Sequence, residues 1–270
     1  MESKLAELSG EWALVLGASS GFGAAVSLEL ARHGVNVFGV HLDRRATMAN
    51  VDRIVAEIRA QGVEAQFFNV NAADAERRQE TLDRVEQILA GRDRQTIRTL
   101  LHSLAFGALK PFVGDGPEDA LSSSQIEMTL DVMASSLVYW TRELVWRGIL
   151  GQGSRVFAMT SAGSHRCWPG YGAVSAAKAA LEAYVRQLAI ELAPRGVTVN
   201  ALRAGVTDTP ALRKIPGHEV MIEAATQRNP GGRMTSPEDV AKLIAVFSLP
   251  ATGWVTGNVI GVDGGEDAVG

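Results

Sequence analysis

Short runs of apolar residues alternate with longer stretches of helical periodicity along almost the whole chain. The apolar runs predict seven strands, over 12–18, 35–40, 63–70, 97–104, 154–161, 196–202 and 258–265. The periodic stretches predict helices over about 22–33, 45–60, 75–89, 122–148, 172–192 and 237–249. Strands that are apolar throughout, each followed by a helix, are typical of a parallel sheet covered on both faces. We therefore expect an α/β fold, a doubly wound parallel sheet of about seven strands with helices on both faces.

The composition is that of an ordinary globular chain and excludes several classes of protein. Lysine and arginine number 26 against 30 aspartate and glutamate, a net charge of −4 over 270 residues, which gives no reason to expect binding to nucleic acid or to an anionic membrane. No apolar run approaches the roughly 18 to 20 residues of a membrane helix, and the amino end lacks the pattern of a signal peptide. The one cysteine, Cys167, excludes an internal disulfide framework and a zinc site built from cysteines. Because the chain shows no repeat or linker, we expect a single cytoplasmic domain over 1–270.

A cluster of glycines follows the first predicted strand and begins the first predicted helix. Gly17, Gly21 and Gly23 stand in the segment LGASSGFG. Gly17 lets the chain turn sharply, and the others let backbone N–H groups approach a pyrophosphate at the positive end of the helix. A plain strand-to-helix turn would also use glycines, but the first βα junction is where Rossmann-type folds hold dinucleotides. We therefore predict a dinucleotide site whose loop contacts come from Gly17, Ser19, Ser20, Gly21 and Phe22.

The end of the second predicted strand bears on the choice between NAD and NADP. An NAD site usually presents an acidic side chain there, to the ribose 2′-hydroxyl group. Here the expected acid position holds His41, and Arg44 and Arg45 follow, which suit a 2′-phosphate. Asp43 could neutralise one of these arginines, and both could equally belong to a solvated helix start. The pattern favours NADPH over NADH, with His41, Arg44 and Arg45 at the 2′ position.

Segment 160–209 contains a serine, a tyrosine and a lysine whose spacing indicates a catalytic site. Tyr171 lies seven residues before Lys178, and Ser161 lies ten residues before Tyr171. Together with GASSGFG and the closing VTGNVIGVDGG, this segment resembles the short-chain dehydrogenase/reductase family over nearly the whole chain. The usual tyrosine of that family, four residues before the lysine, is absent, since that position holds Val174. The resemblance implies that Tyr171, Lys178 and Ser161 are the catalytic residues.

Other departures from the usual pattern resemble the enoyl-acyl-carrier-protein reductase branch of the family. The Tyr-x6-Lys spacing is one, the segment HSLAFG at 102–107 is a second, and Ala204-Gly205 in place of the usual Pro-Gly is a third. Where ordinary members have a catalytic asparagine, this chain has Met133. The likeness is strongest to the NADPH-using bacterial type, and it implies reduction of the double bond of a 2-enoyl thioester.

The spacing also has a chemical reason of its own. Seven residues at about 1.5 Å each place Tyr171 two turns from Lys178 on nearly one helix face. A ketone reductase needs its proton donor at the oxygen of the carbon that receives hydride. An enoyl thioester instead receives hydride at C3 and develops charge on a more distant carbonyl oxygen. We therefore expect Tyr171 to stabilise the enolate, Lys178 to hold the nicotinamide ribose, and Ser161 to act as a second donor or a positioning residue.

The resemblance implies further cofactor contacts, which come from Asn69, Val70, Ser103, Val206 and Thr209. Residues 208–233 are expected to form a substrate lid. Its four cations could receive an acidic carrier protein or a coenzyme A phosphate, or could form an ordinary surface: Arg213, Lys214, Arg228 and Arg233. Arg203, beside the cofactor loop, has no explanation from the sequence. The histidines lack metal-ligand spacing, so no metal site is expected.

Three functions stay open from the sequence. The leading hypothesis is an NADPH-dependent reductase of 2-enoyl thioesters, whose substrate is carried on an acyl carrier protein or on coenzyme A. The second is a carbonyl or alcohol oxidoreductase of the same fold that uses the displaced tyrosine. The third is a non-catalytic NADP(H)-binding sensor. Apolar residues on more than one face of the helices over 122–148 and 172–192 predict a homo-oligomer, a dimer or a tetramer.

Overall fold

The computed structural model describes residues 5–92 and 96–269, which confirm the expected α/β fold. One sheet of seven parallel strands runs in the order β3-β2-β1-β4-β5-β6-β7. The strands are β1 (Trp12–Leu16), β2 (Asn36–His41), β3 (Ala65–Asn69), β4 (Thr99–His102), β5 (Arg155–Ser161), β6 (Thr198–Ala204) and β7 (Val259–Val262). The strand order reverses between β1 and β4, and ligands bind to such sheets in the crevice at the carboxyl ends of these strands.

Eight α-helices lie within the described residues. They are α1 (Gly21–Arg32), α2 (Met48–Ala60), α3 (Ala75–Ala90), α4 (Ser123–Leu130), α5 (Ser136–Trp146), α6 (Gly172–Leu192), α7 (His218–Arg228) and α8 (Pro237–Phe247). As predicted, α8 begins at Pro237, and its N-cap, Ser236, forms a capping box with Asp239. No helix in this part of the chain has the length and apolarity to span a membrane. The predictions for the amino end and for a domain over 1–270 include residues 1–4, 93–95 and 270, which lie outside the described residues.

The helices form two layers, one on each face of the sheet. The side chains of β1 point alternately to the two faces, so this strand contributes to both cores. Trp12, Leu14 and Leu16 join a core with residues of α3, α5 and α6. Ala13 and Val15 join a second core with residues of α1, α2 and α8. All five side chains are buried, which explains why a central strand of this kind appears in the sequence as a continuous apolar run.

Several predicted elements differ in the structure. The helix predicted over 122–148 is interrupted by a π-helical turn, Asp131–Ser135, between α4 and α5. The Ser136 hydroxyl donates to the Val132 carbonyl oxygen at 2.8 Å, a side-chain bond that competes with regular helix geometry. The strand predicted over 12–18 ends at Leu16, because Gly17 turns the chain. Within the predicted lid, residues 208–233, the structure has a helix that was not predicted, α7.

Candidate active site

The glycine loop between β1 and α1 packs its backbone against neighbouring backbone. Gly17 has a φ of +92°, and a Cβ there would lie 2.3 Å from the carbonyl oxygen of Ser103. A Cβ on Gly23, in the first turn of α1, would lie 2.0 Å from the carbonyl oxygen of Gly17. Only glycine fits either position, because the loop folds back between α1 and the end of β4. The predicted contacts Gly17 and Ser103 are therefore direct neighbours.

The amino end of α1 opens towards the loop that follows β6. Ser20 is the N-cap of α1, but its side chain makes no capping hydrogen bond, and the first N–H groups of a helix have no intrahelical acceptor. A Cβ on Gly21 would lie 3.4 Å from Cγ2 of Thr209, so these two predicted contacts border one crevice. Phe22 packs on the core of α1, α2 and α8. Uncapped amides at a glycine-lined helix start fit the pyrophosphate of a dinucleotide.

The end of β2 forms a small hydrogen-bonded unit. His41 is buried, and its Nδ1 lies 3.0 Å from Oδ2 of Asp43. Asn69, at the end of β3, binds the backbone of Asp43 twice, because its Oδ1 accepts from the Asp43 N–H at 3.0 Å and its Nδ2 donates to the Asp43 carbonyl oxygen at 2.9 Å. Partial burial acts to raise the pKa of the Asp43 carboxyl, but hydrogen bonds from Ser19, Thr47 and His41 outweigh it and hold that pKa below its usual value.

This unit engages the Asp43 carboxylate within the chain. Its carboxylate pairs with His41, while Arg44 and Arg45 are exposed and have no acidic partner among the described residues. Val70 donates its N–H to the His41 carbonyl oxygen at 2.8 Å. The contacts predicted at the ends of β2 and β3 therefore lie together, and the two arginines remain available to an anion.

Tyr171 ends the tyrosine loop, residues 162–171, and stands at the N-cap of α6. A Cβ on Gly163 would lie 2.5 Å from Cε1 of Tyr171 and 3.2 Å from Oγ of Ser161, so the predicted pair comes together over this glycine. The Ser161 Oγ makes no hydrogen bond of standard geometry within the described chain, yet it lies near enough to act on the phenol. Burial raises the pKa of Tyr171, and the Ser161 hydroxyl offsets part of the rise. The phenol is thus protonated at neutral pH and able to donate.

Lys178 lies two turns into α6, and only 5% of it is exposed. Its Nζ donates to the carbonyl oxygen of Met159 at 2.7 Å. Burial lowers the pKa of Lys178 to about 8, and the charge of Glu182 opposes the shift. An ammonium group with one backbone acceptor keeps two further N–H donors, which suit the hydroxyl groups of a ribose.

Two apolar side chains occupy the positions where the resemblance would place a tyrosine and an asparagine. Val174 and Met133 are both buried. A Cβ on Gly107, in the segment HSLAFG, would lie 2.8 Å from Sδ of Met133 and 2.9 Å from Cγ2 of Val174. The two side chains therefore close over Gly107 and offer no polar group to a substrate.

A family model described as enoyl-(acyl carrier protein) reductase matches residues 17–266. The chain belongs to this family. It is a short-chain dehydrogenase/reductase that resembles the enoyl-reductase branch, and therefore an oxidoreductase.

The relatives of this short-chain dehydrogenase/reductase are named for different substrates. The 3-oxoacyl-(acyl-carrier-protein) reductase FabG of Pseudomonas aeruginosa is 31% identical over 269 residues, covering 96% of this chain and 98% of that protein. The 1-cyclohexenylcarbonyl-CoA reductase of Streptomyces collinus is 29% identical over 258 residues, covering 95% and 86%. A solved structure of a dehydrogenase/reductase from Sinorhizobium meliloti 1021 is 27% identical, with a TM-score of 0.83 and coverage of 99% and 100%.

In this dehydrogenase/reductase the loop after β6 is covered by the C-terminal turn, residues 263–268, a contact that the sequence did not predict. Oε2 of Glu266 accepts from the N–H of Val206 at 3.0 Å. A Cβ on Gly205 would lie 2.7 Å from the same oxygen. Burial raises the pKa of Glu266, and the bond from Val206 opposes the rise. The backbone N–H of Val206, a predicted cofactor contact, is thus already bound to Glu266. The acidic residues that follow VDGG were the feature of the sequence that could have indicated this contact.

His102 lies fully buried at the end of β4, beneath the site of this reductase-family protein. The Ser136 hydroxyl donates its proton to the Val132 carbonyl oxygen. Nε2 of His102, 2.8 Å from Oγ of Ser136, is therefore the donor in the bond between these two side chains. Burial lowers the pKa of His102 to about 3, and the charge of Lys178 adds to the shift. The imidazole is therefore neutral. In the described ranges no three His, Cys, Asp or Glu side chains are grouped to hold a metal ion.

Two of the four cations in the predicted lid pair with carboxylates of the chain, and a third, Arg228, donates from Nε to the Ala224 carbonyl oxygen at 3.3 Å. Arg213 makes two hydrogen bonds, of 2.7 and 2.8 Å, to Asp208, and Arg233 makes two, of 2.7 and 2.9 Å, to Asp239. Lys214 is exposed and has no acidic partner in the part of the chain that the structure describes. This surface is therefore less positive than the sequence suggests.

Proposed function

We propose that this protein reduces the C=C bond of a 2-enoyl thioester, with NADPH as the hydride donor. The observation that carries the proposal is the apolar closure over Gly107 by Val174 and Met133. It removes the polar groups with which an ordinary member of the family would meet a ketone beside the nicotinamide. Tyr171 is the phenol that lies near Ser161, about 10 Å along the helix axis from Lys178. That separation suits an oxygen remote from the carbon that accepts hydride.

The environments of the side chains support their roles. When bound, the dinucleotide supplies the hydride. Negative charge then develops on the thioester carbonyl oxygen, and the protonated phenol of Tyr171 donates a hydrogen bond to it. Lys178 is positively charged below about pH 8, so it favours negative charge nearby while its free N–H donors hold the ribose. Ser161 orients the phenol.

NADPH is part of the proposal because of the charges at the end of β2. Asp43 is turned onto His41, and Arg44 and Arg45 are exposed without an acidic partner among the described residues. Arginine recognises a phosphate through two charge-assisted hydrogen bonds, whereas NADH would leave both guanidinium groups without an anion.

A second candidate is reduction of the ketone of a 3-oxoacyl thioester. The Pseudomonas aeruginosa relative is named for that activity and is the more similar of the two relatives compared, so the comparisons favour this candidate over the first. The Streptomyces collinus relative is named for a substrate with an unsaturated ring beside its thioester. Ketone reduction would require Tyr171 to protonate the oxygen on the carbon that accepts hydride, although Tyr171 begins almost one helical turn farther from Lys178 than the usual tyrosine.

Loss of NADPH absorbance distinguishes the two candidates. Purified protein is supplied with NADPH and either crotonyl-CoA or acetoacetyl-CoA, and parallel reactions contain NADH. We expect oxidation of NADPH with crotonyl-CoA, slower oxidation of NADH, and little reaction with acetoacetyl-CoA. Activity with acetoacetyl-CoA alone would replace the first candidate by the second. Inactivity with both thioesters, while NADPH still binds, would contradict both and favour the sensor hypothesis.

We also infer a homo-oligomer, from two apolar side chains on neighbouring helices. Trp146, at the end of α5, is 73% exposed, and Ile190, on α6, is 71% exposed. Exposed large apolar side chains favour contact with another subunit. Light scattering during size-exclusion chromatography should give the mass of a dimer or a tetramer, and a monomeric mass at working concentration would contradict the inference.

A further inference from the structure

Asp267, in the C-terminal turn, joins the tyrosine loop to β6. Its carboxylate oxygens lie 2.8 Å from Nη2 of Arg166 and 2.9 Å from Nη2 of Arg203. Nε2 of His165 lies 3.1 Å from the same carboxylate, and Nη2 of Arg166 also donates to the Asp267 carbonyl oxygen at 2.8 Å. The Asp267 side chain is 14% exposed, so these pairs are partly shielded from water. Two arginines from separate elements thus share one carboxylate, which accounts for Arg203.

The turn that carries Asp267 is itself held in place. The Asp263 side chain accepts from the N–H of Gly265 at 2.9 Å and from that of Asp267 at 3.3 Å. Asn229, just after α7, donates to the Asp263 carbonyl oxygen at 2.7 Å. Together with the bond between Glu266 and Val206, these contacts fix the backbone that carries Asp267.

The tyrosine loop depends on such contacts because it has little regular structure of its own. It contains one 3₁₀ turn, Ala162–Ser164. The Ser175 hydroxyl donates to the Gly163 carbonyl oxygen at 2.5 Å, and Nε1 of Trp168 donates to the Pro216 carbonyl oxygen at 3.3 Å. Between these two bonds the loop is anchored by the Arg166 and His165 pairs with Asp267.

The charges around Asp267 make this anchor sensitive to the carboxylate. Arg166 and Arg203 each approach it within 3 Å, so each guanidinium group lies in the field of the other. With the carboxylate present, both are attracted to one point. Without it, two like charges remain close together, and the mobile partner is Arg166, because Arg203 is fixed on a strand of the sheet.

We propose that Asp267 is a positioning residue that holds the tyrosine loop, and with it the Tyr171 phenol, at the geometry needed for proton donation. The proposal rests on the role of Tyr171 in the proposed function, but it does not depend on which double bond is reduced. It predicts that loss of the carboxylate affects the chemical step more than the binding of the dinucleotide, whose glycine loop lies on the other side of the crevice.

Asp267→Asn tests the proposal, because it keeps the shape of the side chain and removes its charge. We expect kcat to fall between about tenfold and about a hundredfold, as for a reacting group misplaced by around 1 Å, while the Kd of NADPH stays within about twofold. Asp267→Glu, which restores the charge, should recover most of kcat. Glu80→Gln, which breaks the exposed pair between Arg77 and Glu80 on α3, is the matched control and should leave kcat unchanged.

Hydrogen–deuterium exchange provides a readout that is independent of activity. In Asp267→Asn the amides of 162–171 should exchange faster than in the parent, whereas those of 17–32 should not change. If Asp267→Asn does not fold, Arg166→Gln replaces it and should show the same changes. Unchanged kcat and unchanged exchange, or failure of Asp267→Glu to recover activity, would overturn the proposal. If the amides of 162–171 exchange faster in Asp267→Asn than in the parent, and the parent reduces neither thioester, the proposed function alone is overturned.

Discussion

The glycine loop after β1 and the tyrosine loop after β5 lie at the same edge of the sheet but are held by different forces. Gly17 and Gly23 are required by the backbone, because a Cβ on either would meet a carbonyl oxygen within 2.3 Å. The tyrosine loop is held in place by side-chain contacts, chiefly the ion pair between Arg166 and Asp267 and the packing of the Tyr171 ring against Gly163. The first region has its determinants beside it in the chain, and the second draws them from distant segments.

This difference suggests a division of labour that variants can test. A steric requirement of the backbone permits one conformation and preorganises the dinucleotide site before any ligand binds. Side-chain pairs hold a loop more weakly, since each partly exposed ion pair contributes about 1 kcal/mol or less. Changes in the glycine loop should therefore appear in cofactor affinity, and changes in the tyrosine loop should appear in turnover.

Removal of the phenol should have the largest effect. Tyr171→Phe is expected to lower kcat by about 100-fold to 10,000-fold, because it removes the hydroxyl group that donates to the carbonyl oxygen. The Kd of NADPH should not change. Tyr184→Phe, on the same helix but packed against the core, is the control and should retain activity. Steady-state kinetics and fluorescence titration measure the two quantities, and a Tyr171→Phe protein with full activity would remove Tyr171 from the mechanism.

Gly17→Ala should break the other side of the crevice. The substitution combines a φ of +92° with a contact of 2.3 Å to the Ser103 carbonyl oxygen, so we expect the Kd of NADPH to rise about a hundredfold through strain of roughly 3 kcal/mol. Gly62→Ala is the matched control, since Gly62 has a φ of +80° but nothing within 4 Å of its would-be Cβ. It should lose about 1 kcal/mol of unfolding free energy and keep its affinity. Equal affinities for the two variants would refute the steric argument.

Gly163→Ala should sharpen the comparison, because this glycine leaves space for a side chain, the Tyr171 ring, and not for the backbone. Its φ is not positive, and the added methyl group would meet only the Tyr171 ring and Ser161 Oγ at short range. We expect kcat to fall between about tenfold and a hundredfold, and the Kd of NADPH to remain the same. Gly151→Ala, where a Cβ has nothing within 4 Å, is the control. A change in Kd larger than the change in kcat would place Gly163 on the cofactor side instead.

The titration of Lys178 should have the smallest effect, and a rise in pH should change activity and stability in opposite directions. Because its pKa is lowered to about 8, kcat/KM for the cofactor should fall above pH 8 and reach about a tenth of its neutral value at pH 9. Stability should respond in the opposite direction. Between pH 8 and the ordinary value of 10.5 the unfolded chain keeps a proton that the folded chain has lost, so this group makes the free energy of unfolding rise with pH.

Rate profiles from pH 6 to 10 and denaturant unfolding over the same range test both signs. Lys178→Met should abolish the rise in stability that this residue contributes. An alkaline limb of kcat/KM that appears only near the pKa of a tyrosine would contradict the assignment to Lys178.

Much of the fold could be predicted because its determinants are local. The helix predicted over 172–192 has those bounds in α6, since its buried residues recur at helical spacing from Ala173 to Leu192. The helix predicted over 122–148 was wrong at its centre, because the π-helical turn accompanies a bond from the Ser136 hydroxyl that periodicity does not reveal. The predicted site residues Ser161 and Tyr171 do come together, but Gly163, which seats them, was missed.

The sequence by itself determined the parallel sheet, the glycine loop at its switch point and the displacement of Tyr171 from Lys178. All three depend on the spacing of residues along one strand or helix, where backbone geometry translates sequence distance into space. Only the tertiary structure decided that Asp43 pairs with His41, that Glu266 engages Val206, and that Arg203 reaches Asp267. Whether two polar groups from distant segments pair depends on their distance and burial after the elements have packed, and the spacing of residues along the chain shows neither quantity.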